Sequence, residues 1–276
     1  MIQFFRRIRQ KLLGGNRPYQ DRREGRASRY ALYAMGEILL VVIGILIALY
    51  INNINEYRKE REQEQVLLKQ LRSEFNSNLQ QLDQKIALRN EMMEAAKQFF
   101  ELIDHPNRRD KDSIDLLIAK TLPYTTFDPI ENDLASSGEL MLIKNIELKQ
   151  SLTRWSSNIR DVMEEEEIWK YYRNELYMPF LIQHYQFRTL RNKAFKSNVL
   201  GQFSIDQDKG TFLYADDDIG SSRHKEDFNA LLDHPDLEDH LSRCYSINQW
   251  ANIQSLILRK RIVEILSLVE GEISSE

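Results

Sequence analysis

Residues 31–51 read ALYAMGEILLVVIGILIALYI, twenty-one positions with a single charge, Glu37, and an unbroken apolar run over 38–51. At about 1.5 Å of rise per residue such a helix covers roughly 30 Å, the thickness of a bilayer's hydrocarbon core. A buried core helix keeps a polar face over four turns, and this segment has none. The segment therefore reads as a transmembrane helix over 30–51. The mean hydropathy of the whole chain is negative, so the span is a minor part of it.

The flanks orient the span. Residues 1–29 carry nine basic residues (Arg6, Arg7, Arg9, Lys11, Arg17, Arg22, Arg23, Arg26 and Arg29) against Asp21 and Glu24, a net of +7. After the span, Arg58, Lys59 and Arg61 are interleaved with Glu56, Glu60, Glu62 and Glu64. The positive-inside bias keeps the N-terminus cytosolic. Tyr30 and Tyr33 at one end, with Tyr50 and Tyr57 at the other, suit the two interfaces. The apolar run exceeds a signal peptide's length and no small-x-small cleavage site follows, so a signal anchor is expected.

Two features within the span are candidates for function. Gly36, Gly44 and Ala48 are separated by multiples of four and share one face, where small residues let helices approach closely and a homo-oligomer can form. Glu37 lies about two turns inside the cytosolic boundary. It either snorkels or pairs with the basic tail, or it serves as a functional intramembrane acid.

With Glu37 set aside, residues 38–276 carry a net −10. A basic tail on an acidic body argues against nucleic acid as the partner and for anionic lipid at the tail. Within the tail, Ile2, Phe4, Phe5, Ile8, Leu12 and Leu13 alternate with basic residues, so it forms either an amphipathic helix on the inner leaflet or a disordered basic segment.

Beyond the span no proline occurs before Pro106 and no glycine between Gly44 and Gly138. The spanning helix is therefore expected to continue through a charged stalk, residues 52–65, into a helical domain, residues 66–276, as one helix over about 30–104. Its seam is Leu68, Leu71, Phe75, Leu82, Ile86, Met93, Ala96, Phe100 and Ile103, interrupted by Asn78 and Arg89, which makes an isolated coiled coil doubtful. A short helix over 113–120 precedes a loop punctuated by Pro123 and Pro129. Ser136, Ser137 and Gly138 end another helical piece, with Gly138 suited to a left-handed cap.

Asn145 is expected to cap a helix carrying Leu148, Leu152, Trp155, Ile159, Val162 and Trp169 and ending near Pro179. The run Glu164–Glu167 within it reads as a solvated face. A further helix covers 180–196. The last helix, with Pro235 in its first turn, keeps a seam of Leu237, Leu241, Cys244, Asn248, Ala251, Leu258, Ile262, Ile265 and Val269. Cys244 on that seam is expected to be buried. The fold expected is all-α, one transmembrane helix continuous with a long helix of an antiparallel helical bundle.

No phosphate loop, dinucleotide fingerprint, zinc-protease helix or nucleophile elbow occurs, so no catalytic residue, cofactor or metal is assigned. His234 and His240 lie among Asp233, Asp236 and Asp239, but not at a metal spacing. Asp206, Asp208, Gly210 and Asp216–Asp218 depart from a calcium loop, with Thr211 and Asp217 where glycine and glutamate are needed. An acidic helix start and a solvated turn are the preferred readings.

Two stretches resemble a family of uncharacterised single-pass inner-membrane proteins of Bacteroidota, known only as a domain of unknown function. The first is FFRRIRQKLL (4–13) with RYALYAMGEILLVVIGILIALYINNINE (29–56). The second is LASSGELMLIKNIELKQSL (134–152), where Leu134, Ser136, Ser137, Gly138, Leu140, Leu142, Ile143, Asn145, Glu147 and Leu148 match the recurrent pattern. Ile54 departs from a common tryptophan, and the basic tail is longer than usual. The resemblance implies an inner-membrane protein with a periplasmic domain and brings no catalytic residues.

These features together lead to an expectation of a membrane-anchored periplasmic interaction or scaffold protein, not an enzyme, whose partner is another membrane or periplasmic protein. A periplasmic ligand-sensing subunit needing a separate transducer is one alternative. A stator-like energy-transducing subunit using Glu37 is the other.

Overall fold

The computed structural model describes residues 24–130, 138–196, 218–224 and 227–273. Residues 1–23 of the N-terminal tail, Leu134, Ser136, Ser137 and the aspartates of the calcium-like stretch before Asp218 lie outside them. Among the described residues the secondary structure is helical, with no strand. Two compact units divide at Arg61 and Glu62.

Helix α1 runs Glu24–Asp104, as the absence of helix breakers predicts. In the first unit residues 30–53 are all exposed. The large apolar side chains from Leu32 to Ile51 are between 44% and 68% exposed.

The second unit is built on three long helices. They are α1 from Glu62 onward, α4 (Trp155–Tyr172) and α8 (Pro235–Glu272). Smaller elements are α2 (Lys111–Thr121), α3 (Ile146–Thr153), α5 (Met178–His184), α6 (Phe187–Lys196) and α7 (Phe228–Leu232). Cross-helix pairs give the directions. Arg72 meets Glu270, Asp83 meets Arg259 and Asn90 meets Asn252, so α1 and α8 are antiparallel. Phe75 packs on Trp155 and Arg89 reaches Glu166, so α4 runs parallel to α1.

Helix starts follow from side-chain caps. Asp110 accepts from Ser113 N–H, Asn145 from Leu148 N–H at 3.0 Å and Asp227 from Ala230 N–H. Gly138 takes φ +76°, the left-handed conformation expected of it, ahead of a 3-10 turn Glu139–Met141. The predicted seam of α8 is buried along its whole length, Cys244 included.

Five expectations are corrected. The helix capped by Asn145 is divided at Arg154 into α3 and α4. In the second half of α1 the buried seam runs through Met92, Ala95, Ala96 and Phe99, and Met93, Phe100 and Ile103 are only partly buried. The helix through Trp169 does not end near Pro179. It passes through a π-helical segment, Arg173–Tyr177, into α5, where Pro179 occupies the first turn. The widened turn relieves the clash a proline ring makes with the carbonyl four residues back. Residues 180–196 are not one helix, because Tyr185 turns extended and donates its hydroxyl to the buried Asp115. Glu164–Glu167 is not wholly solvated, because Glu166 is buried.

Candidate functional site: a tethered strap and a buried polar layer

The second unit holds two apolar clusters. One contains Leu68, Leu71, Phe75, Leu82, Trp155, Ile159, Val162, Leu258 and Ile262. The other contains Met92, Ala96, Phe99, Ile118, Trp169, Tyr177, Leu181, Leu237, Leu241 and Cys244. Between them in sequence, on all three long helices, the seam turns polar: Arg89 on α1, Glu166 on α4, and Asn252 with Ser255 on α8.

Arg89 is the centre of this layer and is 1% exposed. Its Nε donates to Asn252 Oδ1 at 2.7 Å, its Nη1 to Thr125 Oγ1 at 2.7 Å and to Glu166 Oε1, and its Nη2 to Ser255 Oγ at 2.6 Å. Burial draws the guanidinium below its usual pKa, and the charge of Glu166 with its hydrogen bond opposes that. An arginine stays protonated in such a site, so the layer holds a charged pair. The other oxygen of Glu166 accepts from the backbone N–H of Phe127.

Phe127 belongs to a strap without regular secondary structure, residues 122–130, between α2 and the undescribed residues. Side chains hold its backbone at Leu122, Pro123, Phe127, Asp128 and Ile130. Leu122 C=O accepts from Arg173 Nε and Pro123 C=O from Trp169 Nε1. The carboxamide of Gln81 both donates to Asp128 C=O at 2.9 Å and accepts from Asp128 N–H at 2.8 Å. Asn78 does the same for Ile130 at 3.0 and 2.8 Å. An amide side chain presents the donor and acceptor of a peptide group, so the two positions, one turn apart on α1, substitute for a neighbouring strand. The two seam interruptions, Asn78 and Arg89, are therefore among the residues that bind the strap.

A second set of ties closes the unit near Glu62. The buried Glu64 accepts from Lys144 N–H at 2.7 Å, Asn145 donates to Glu272 Oε1, and Gln65 donates to the Glu272 carbonyl. Glu64 and Gln65 were read as the last residues of the charged stalk.

The span candidates belong to the first unit. Gly36, Glu37, Gly44 and Ala48 are exposed, and a Cβ at either glycine would meet nothing within 4 Å. His234 and His240 come close to a third histidine that the sequence reading missed, His184, around Phe180. No group of three or more metal-ligating side chains is assembled among the described residues.

Chemically, the polar layer positions backbone. Each nitrogen of Arg89 and both oxygens of Glu166 are committed to fixed partners, so the layer organises helices and strap. Glu166 was legible in principle: Trp155, Ile159, Val162 and Trp169 are spaced by fours and threes, and position 166 completes that seam. No curated protein matches the chain. Residues 37–137, which take in most of the apolar segment, the rest of α1, α2 and the strap, match a family of unknown function, DUF6090.

Proposed function

We propose that the chain is a membrane-anchored interaction or scaffold protein. Residues 30–51 span the inner membrane, the basic tail stays in the cytosol, and the helical domain is a periplasmic bundle that presents a binding surface and catalyses nothing itself. The observation that carries this reading is the ring of exposed apolar side chains from Leu32 to Ile51, on a helix long and apolar enough to cross a membrane. Water disfavours such a continuous apolar cylinder, whereas lipid solvates it and the helix satisfies its own backbone. The basic excess before the span supports the orientation. The resemblance to single-pass proteins of Bacteroidota supports the inner membrane and the periplasm. The strap tied by Asn78, Gln81, Arg89 and Glu166 supports a surface held in one conformation, as a docking module requires.

Protease added to spheroplasts should digest the chain beyond about Asn52 and spare the tail. Protection of the C-terminal domain would overturn the topology. A crosslinked pull-down from membranes then identifies the partner class. A channel-forming partner whose activity fails in Glu37→Gln would replace this reading with a stator-like one, and a histidine kinase would replace it with a sensor.

A further inference from the structure

Three of the chain's five histidines meet where α5 and the start of α8 pack together. The ring of Phe180, on α5, lies 4.7 Å from His184, 5.1 Å from His234 and 4.7 Å from His240, centroid to centroid. His184 and His234 are themselves 4.5 Å apart. All three imidazoles are half-buried. His234 is also the N-cap of α8, where its Nδ1 accepts from Asp236 N–H at 3.2 Å. His240 Nδ1 is bonded to the Tyr172 hydroxyl at 2.9 Å, and its ring lies 5.6 Å from that of Tyr177.

This arrangement suits neutral rings. The cap needs a lone pair on His234 Nδ1, and a proton there turns the acceptor into a donor and ends the bond. It also sets a cation at the positive end of a 38-residue helix. A second proton on His184 places two cations with ring centroids 4.5 Å apart. We propose that His184, His234 and His240 form a proton-operated latch, which fastens α5 to the start of α8 when neutral and releases it when charged.

The surrounding charges set the balance. Burial holds His240 below its ordinary pKa; Asp236 and Asp239 on α8 pull it up, and a charged His234 pushes it further down. Asp233, before the cap, is paired with Arg109 from the segment after α1 at 2.7 Å. Arg243 of α8 lies over the Tyr172 ring from α4, adding a cation on that side. Tyr177 and Cys244 beside it are buried, and burial raises both well above their usual values, so they stay neutral. A histidine whose folded pKa is lowered contributes stability above its unfolded value, near 6.5, and that stability is lost as pH falls towards the folded value. The latch therefore opens on acidification. It holds whichever side of a membrane the domain occupies.

Hydrogen–deuterium exchange on the full chain in detergent micelles tests this at pH 7.5 and 5.5, with rates corrected for the intrinsic pH effect. Peptides covering Met178–His184 and the first turns of α8 should lose protection several-fold at the lower pH. The half of α8 around Leu258 and Ile265 should not change. In His184→Gln with His234→Asn and His240→Gln, asparagine keeps the cap acceptor and none of the three positions titrates, so the loss should disappear. Equal loss in variant and wild type, or no local loss in wild type, overturns the latch. If the variant does not fold, imidazole titrations of the wild type by NMR decide. Coupled titration with His240 below its ordinary value supports the latch, and three independent ordinary titrations overturn it.

Discussion

The pair Arg89–Glu166 gives the sharpest test of how the helical domain is held. Both side chains are 1% exposed, and together they join α1, α4, α8 and the strap. Arg89→Met leaves the Glu166 carboxylate buried with the Phe127 N–H as its remaining partner, and Glu166→Leu leaves a buried guanidinium without its counter-charge. Removing one member of such a pair costs about 3–5 kcal/mol. For a domain of this size each kcal/mol lowers Tm by about 2–4 °C, so each single variant should melt roughly 6–20 °C below wild type. The double variant should not recover fully, because Thr125, Asn252, Ser255 and the Phe127 N–H remain buried without their former partners. It is spared the uncompensated charge, so its loss should fall short of the sum of the singles by about 0.5–3 kcal/mol. Thermal unfolding of the full chain in detergent, followed by circular dichroism, measures all four corners of the cycle. Additivity within about 0.5 kcal/mol, or a single variant that loses under about 1 kcal/mol, would refute the coupling.

Four further outcomes are expected. Asn78→Leu removes both bonds to Ile130, a half-exposed residue whose backbone water can solvate, so it should cost about 0.5–1.5 kcal/mol per bond and speed proteolysis within residues 122–130. Asn145→Ala removes the cap of α3 and the bond to Glu272, so Tm should fall by an amount corresponding to about 1–2 kcal/mol. Cys244 is fully buried with its thiol pKa raised, so a maleimide should label it only after denaturation, and rapid labelling of the native chain would contradict the packing of α8. Gly44→Ile should weaken self-association of the span in a membrane two-hybrid assay by about 1 kcal/mol or more, and equal association would show that the small-residue face is not an interface.

Periodicity in the sequence recovers what depends on one helix at a time. The length of α1, the seam of α8, the cap at Asn145 and the left-handed Gly138 are local properties of spacing and residue type. Pairing between distant segments is not local. Arg89 in isolation is a break in a seam, and only the alignment of α1 with α4 and α8 gives it partners 77, 163 and 166 residues away. Glu166 was hidden differently, within a run of four glutamates whose average character is that of a wet surface although one of the four points inward. Tyr185 breaks its helix because a buried aspartate 70 residues earlier accepts its hydroxyl, a contact no window of sequence contains. The histidine cluster was half visible, since His234 and His240 are near in sequence and His184 joins them only through folding.

The polar layer also explains how three long apolar seams settle on one alignment. Apolar side chains exchange neighbours at modest loss, so two helices with repeating seams can slide by one turn, about 5.4 Å, and still bury most of their surface. Arg89 forbids that slide. A one-turn displacement of α1 would carry its guanidinium from Glu166, Asn252 and Ser255 to the level of Leu258, or of Ala251 and Asn248, on α8, where a buried charge is left without a counter-ion at several kcal/mol. The same slide would break the two-point ties of Asn78 and Gln81, since the peptide groups they grip lie at fixed positions on a strap that Glu166 and Trp169 anchor to α4. The buried pair, a weak source of net stability by itself, thus acts mainly as a register mark that excludes neighbouring alignments and holds the strap in one place along α1.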